Sequence, residues 1–136
     1  MKKRILILLL TLVILLPLLV ACKDTPKKAE TEEELSLAGK NFINVELMMR
    51  DKVTFFITLN EDMTFNYLES VNSTHLGKGT WSVSEGTVTL REEEGDRTFI
   101  FKVSQNSLLY VAEGSSAFPS TTLADGASFS YIENLD

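Results

Sequence analysis

The 136-residue sequence holds one cysteine, one histidine, three prolines and seven glycines, and each scarcity excludes something. The lone cysteine, Cys22, has no second thiol in the chain with which to form a disulfide. The lone histidine, His75, cannot supply the paired imidazoles of the common zinc and copper centres. No metal site and no other cofactor is expected. A single histidine in a turn region gives no Ser/His/Asp arrangement a place to form, and is read as a surface residue. No Gly-rich phosphate loop occurs, and no carboxylate spacing recommends a hydrolytic pair. The chain is not expected to be an enzyme.

Long apolar runs are also missing, except at the start. Lys2, Lys3 and Arg4 precede an apolar stretch from Ile5 to Val20 that only Thr11 and Pro17 interrupt. A spanning helix takes about 20 apolar residues and a secretory core about 7–15, so length leaves both open. Leu19-Val20-Ala21-Cys22 decides between them. An aliphatic residue, two small or branched residues and a cysteine form a lipobox, the site at which a precursor is thiol-acylated and cut. Residues 1–21 are thus expected to be a lipoprotein signal peptide, with lipid on Cys22 holding the product to a cell membrane or outer membrane, outside the cytoplasm. One chain anchors marginally and two anchor stably, which the diacylglycerol of such proteins supplies.

Basic residues are few beyond that segment. It carries three of the 13 basic residues and none of the 19 acidic ones, so the remainder has ten against 19, a net charge of −9. Phosphate backbones attract Lys and Arg, so nucleic acid is excluded as a partner. All twelve aromatic residues lie in this part, enough for one modest core.

Lys23 to Ala29 is polar, includes Pro26, and suits a tether. Thr31-Glu32-Glu33-Glu34 matches a capping box, which predicts a short helix from Glu32 to Leu37 stopped near Gly39; the alternative is that the acidic run merely extends the tether. A domain is expected from residue 39 to 136, after residues 22–38 of tether and helix.

From Gly39 the period is two. Ile43, Val45, Leu47 and Met49 alternate with polar positions, as do Val53, Phe55, Ile57 and Leu59, then Met63, Phe65 and Tyr67. Trp81 with Val83, Val88 with Leu90, and Phe99, Phe101 and Val103 follow, with shorter strands near Leu108–Val111 and Phe129–Ile132. Such alternation with β-branched and aromatic fillers predicts half-buried strands. The breaks Arg50-Asp51-Lys52, Asn60-Glu61-Asp62, Ser84-Glu85-Gly86, Glu94-Gly95-Asp96 and Ser104-Gln105-Asn106 are read as hairpin turns. Short links allow only antiparallel neighbours, and closing an eight-strand meander removes its two bare edges. The expected fold is all-β: an up-and-down barrel of about eight strands, closed or nearly so, preceded by a short helix.

The long break from Ala112 to Gly126 is either a lid at the barrel mouth or a mobile loop; Phe118 and Leu123 favour docking. The acidic run Glu92 to Asp96 is read as a solvated turn rather than a calcium loop. Met48, Met49 and Met63 are read as core filling rather than thioether ligands, since neighbouring methionines on a strand point to opposite faces.

The segment Thr58-Leu59-Asn60-Glu61-Asp62-Met63-Thr64-Phe65, then Gly79-Thr80-Trp81-Ser82-Val83, Val88-Thr89-Leu90, Phe99-Ile100-Phe101-Lys102-Val103 and Asn106-Ser107-Leu108, resembles the N-terminal domain of the NlpE-type, lipocalin-like bacterial lipoproteins. The resemblance covers about Gly39 to Val111. It implies a lipid-anchored barrel that binds or senses in the cell envelope. Those proteins carry a Cys-x-x-Cys early in the domain, whereas residues 42–47 here contain no cysteine, so no metal or redox role carries over.

Two functions remain open. In one, the barrel holds a small apolar ligand against Phe55, Phe65, Trp81, Phe99 and Phe101. In the other, the barrel is filled and its loops meet an envelope protein. Eight strands leave an interior wide enough for either side chains or one small ligand. Trp81, flanked on its face by Gly77, Gly79 and Val83, either plugs one end or lines a cavity.

Overall fold

A computed structural model describes residues 32–133, and the lipobox and Cys22 lie outside them. The chain runs through helix α1 (Glu32–Leu37), strand β1 (Lys40–Ile43), helix α2 (Val45–Asp51) and strands β2 (Phe56–Leu59), β3 (Thr64–Leu68), β4 (Leu76–Ser84), β5 (Thr87–Glu92), β6 (Thr98–Ser104), β7 (Ser107–Val111) and β8 (Ser128–Ile132). Each strand pairs antiparallel with the next, and β1 pairs with β8, so the eight strands close into an up-and-down barrel. Among the described residues, no helix is long and apolar enough to cross a membrane.

Alternation drives this closure. The nine residues of β4 alternate exposed and buried from end to end, which places Gly77, Gly79, Trp81 and Val83 inside. The inner rows of the other strands are Ile57 and Leu59, Phe65 and Tyr67, Val88, Leu90 and Glu92, Phe99 and Phe101, Leu108 and Tyr110, and Phe129. Four of the five breaks turn hairpins as expected; at the β4–β5 turn Glu85 and Gly86 both take positive φ, the pair that a twisted two-residue hairpin needs. Met63, expected on the inner row of β3, instead sits in the β2–β3 turn at φ 64°.

The first expected strand is corrected. Lys40–Ile43 is β1, but Val45, Leu47 and Met49 belong to α2. The buried Asn44 accepts the Leu47 amide at 2.9 Å as an N-cap, and Glu46 lies in the first turn, where a helix favours negative charge. Arg50 pairs with Glu46 at 3.2 Å one turn away. Lys52 takes φ 57° and caps the C-terminus, so Arg50-Asp51-Lys52 ends a helix and does not turn a hairpin. Leu37 of α1 is buried in the barrel core, so this helix packs onto the barrel.

The two barrel ends differ. One is closed by α1, the Asn60–Met63 turn and the two-residue turns at Glu85 and Gln105. There the Trp81 indole donates to the Asn60 carbonyl at 3.1 Å. The other end carries every long connection: α2, the β3–β4 loop, the acidic β5–β6 turn and residues 112–127. This end is the mouth.

Candidate binding site at the barrel mouth

The mouth is built from the ends of the inner rows. Phe55 precedes β2, Tyr67 and Glu69 end the β3 row, Glu92 ends the β5 row, Phe99 begins β6 and Tyr110 lies near the end of β7. On β4 the corresponding positions are Gly77 and Gly79. A Cβ at Gly77 would stand 1.9 Å from the Tyr67 ring, and one at Gly79 would stand 1.9 Å from the Arg91 carbonyl oxygen. The absent side chain at Gly77 lets Tyr67 lie across β4, and the one at Gly79 lets the β5 backbone come close.

Into this space the connection between β7 and β8 inserts Phe118, only 6% exposed. Its ring stacks on Phe99 at 3.9 Å, meets Phe55 edgewise at 4.9 Å and Tyr67 edgewise at 5.2 Å, and lies 5.9 Å from Tyr110. Four aromatic rings therefore enclose a fifth that no strand supplies. The connection is fastened before and after this ring. The Ser116 amide donates to the Thr98 carbonyl at 2.7 Å, the Ser115 hydroxyl accepts the Ile100 amide, and Asp125 accepts the Ala112 amide at 2.8 Å. Close to the ring, the Ser120 amide donates to Glu69 Oε2 at 2.8 Å. Residues 112–127 are thus a docked lid.

Two carboxyl groups end inside the mouth. Glu92 is saturated: Arg97 Nε donates to Oε2 at 2.5 Å, while His75 Nε2 at 2.9 Å and the Tyr67 hydroxyl at 3.1 Å meet Oε1. Burial alone would raise its pKa, but the hydrogen bonds from Arg97 and His75 outweigh burial and hold it below the usual carboxylate range. Burial, reinforced by the Glu92 charge, pushes the Tyr67 phenol well up. Glu69 differs. It is fully buried, and among the described residues its Oε1 has no hydrogen-bond partner.

The five aromatic residues expected to line a cavity are all buried, and the barrel divides them. Phe55 and Phe99 grip Phe118 at the mouth. Phe65 stacks below Tyr67, and Phe101 meets Phe129 edgewise at 5.7 Å in mid-barrel. Trp81 stands apart from the mouth, at the closed end. A cavity of about 240 Å³ does open at the mouth, but between α2 and residues 122–127, against Asn44, Leu47, Arg50 and Leu123, and none of the five lines it.

Sequence reasoning missed Glu69, Glu92, His75 and Arg97 as a group. Glu92 was placed in a solvated turn but is buried, and His75 is no free surface residue. The available signal was the alternation itself, which carries the rows Phe65-Tyr67-Glu69 and Val88-Leu90-Glu92 inward to their charged ends. Among the described residues, no three His, Cys, Asp or Glu side chains converge to hold a metal ion. In comparison with known proteins, no family model and no curated protein matches the chain.

Proposed function

We propose that this chain is a lipid-anchored extracytoplasmic lipoprotein that works by binding, with the barrel mouth as its binding end and Phe118 as a displaceable plug. The observation that carries the reading is the origin of that ring. The strands, with Phe55 just before β2, leave a space bounded by Phe55, Tyr67, Phe99 and Tyr110, and the β7–β8 loop fills it. Strand residues are fixed by the ladder, whereas a loop ring can leave without breaking a strand pair. The site suits a small ligand with an apolar face about the size of a phenyl ring.

Every strand pair and every core residue described above lies between residues 32 and 133, so a chain starting at residue 23 keeps them all. Titrating that chain with indole and following the ring resonances of Phe118 tests the plug. Displacement should shift those resonances and expose the Ser120 amide to exchange. An unmoved ring at millimolar indole would reject it.

The filled-barrel alternative has its own support. The exposed large apolar residues Val45, Met48, Met49, Val71 and Leu76 all belong to α2 or to the β3–β4 connection and its edge, which is the mouth rim. A protein partner docking there would need no space inside.

The anchor makes a separate prediction. Cys22→Ser should abolish incorporation of labelled lipid and leave the uncleaved precursor, seen as a larger band. A mature N-terminus that begins anywhere but residue 22 would refute the assignment.

A further inference from the structure

We propose that the ligand displacing Phe118 is a small organic ammonium ion, held by an aromatic cage and the carboxylate of Glu69. The inference rests on the mouth reading above and names the chemical class that the site selects.

The geometry of the plug carries the argument. The Phe118 centroid lies 3.9, 4.9, 5.2 and 5.9 Å from the centroids of Phe99, Phe55, Tyr67 and Tyr110. A cation is attracted to an aromatic face within about 6 Å of the ring centroid. A group standing where Phe118 stands is therefore within that distance of all four ring centroids, and it lies against the face of Phe99. An apolar ligand would be satisfied by the rings alone. The site also contains Glu69, a wholly buried carboxyl group that continues the inner row of Phe65 and Tyr67. One of its oxygens accepts from Ser120, two residues from the plug, and the other accepts from no donor among the described residues. Buried carboxylate oxygens without a donor are rare and costly. A protonated amine, or the positive face of an alkylated one, supplies the missing counter-charge.

The neighbouring charges do not compete for this role. Arg97 and His75, the basic side chains closest to the inner rows, are both engaged by Glu92. The long-range field agrees as well: a net charge of −9 beyond the signal segment draws cations toward the domain.

Calorimetric titration of the chain from residue 23 with choline, and with its uncharged isostere in which tert-butyl replaces trimethylammonium, separates the two levels of the argument. Choline should bind at least about tenfold more tightly than the isostere. Phe118→Ala removes the competing ring and should tighten both by about tenfold or more. Glu69→Gln should sharply reduce the preference, leaving only the part the rings supply, while the isostere still binds. Should that variant fail to fold, the choline-to-isostere ratio in Phe118→Ala decides alone. Equal binding of the two compounds would overturn the ammonium assignment and leave the mouth as an apolar site. If neither binds, even with Phe118→Ala, both the assignment and the displaceable plug are wrong.

Discussion

Phe65→Ala and Phe101→Ala should each remove about 3–5 kcal/mol of stability, the usual cost of truncating a buried aromatic ring. Both side chains are fully buried, and each touches other rings rather than solvent. Trp81→Ala should cost as much, since it also takes the indole donor from the Asn60 carbonyl, which keeps only the Met63 amide. The outward neighbours on the same strands provide the contrast. Thr80 and Lys102 are exposed, so their alanine variants should stay within about 0.5 kcal/mol. Thr64 should fall between them at about 1 kcal/mol, because its hydroxyl bonds Asp62 and Asn60 within the β2–β3 turn. Domains of this size hold only about 5–15 kcal/mol in total. Denaturant melts of the six single variants should therefore split into a nearly unfolded group and a nearly native one. Indistinguishable midpoints would contradict the register of the barrel.

Glu92→Ala should cost about 3 kcal/mol, because one partner of a buried charge cluster is deleted and the others are left behind. Arg97, His75 and the Tyr67 hydroxyl all direct polar atoms at that one carboxylate, whose side chain is 1% exposed. The cluster also has a pH signature of definite sign. Since the folded-state value of Glu92 lies below the ordinary 4.5, its contribution is complete above that value. It is lost as pH falls from there through the depressed folded value. Asp62, held down by hydrogen bonds from Thr64, adds in the same direction. Melting curves from about pH 6 to about pH 3 should fall more steeply for the native chain than for Glu92→Gln. Parallel slopes would mean that the carboxylate is not depressed.

Most of the barrel was legible because its signal is local. Strands β3 to β7 have their inner residues at alternate positions and their turns at short polar breaks, which a reader of the chain sees directly. Helix α2 was missed because Val45, Leu47 and Met49 also satisfy a period of two. Its counter-evidence lay in Asn44 before Glu46 and in the Glu46–Arg50 spacing, both helix signals. Phe118 and Leu123 did announce a docked lid. The cage around Phe118 did not show, since its walls come from four different strands or their flanks and only the register brings them to one level. The Glu92 cluster is hidden for the same reason: His75, Glu92 and Arg97 are adjacent in space only once β4, β5 and β6 are paired. Glu69 was overlooked because a charged residue just past a strand normally marks the return to solvent.

The pairing of β1 with β8 joins the two extremes of the described chain. Nearly all the other ladder contacts link strands that follow one another, and they can form as soon as each hairpin exists. The last seam cannot. It needs Asn41 and Ile132 to meet, and so it is the strand pairing of longest sequence separation in the barrel. A chain in which β8 has not yet docked would be a seven-strand ribbon with two unsatisfied edges. In that stage β1 and β7 offer bare amides and carbonyls to any neighbouring chain. Docking of β8, a strand of five residues, covers both edges at once.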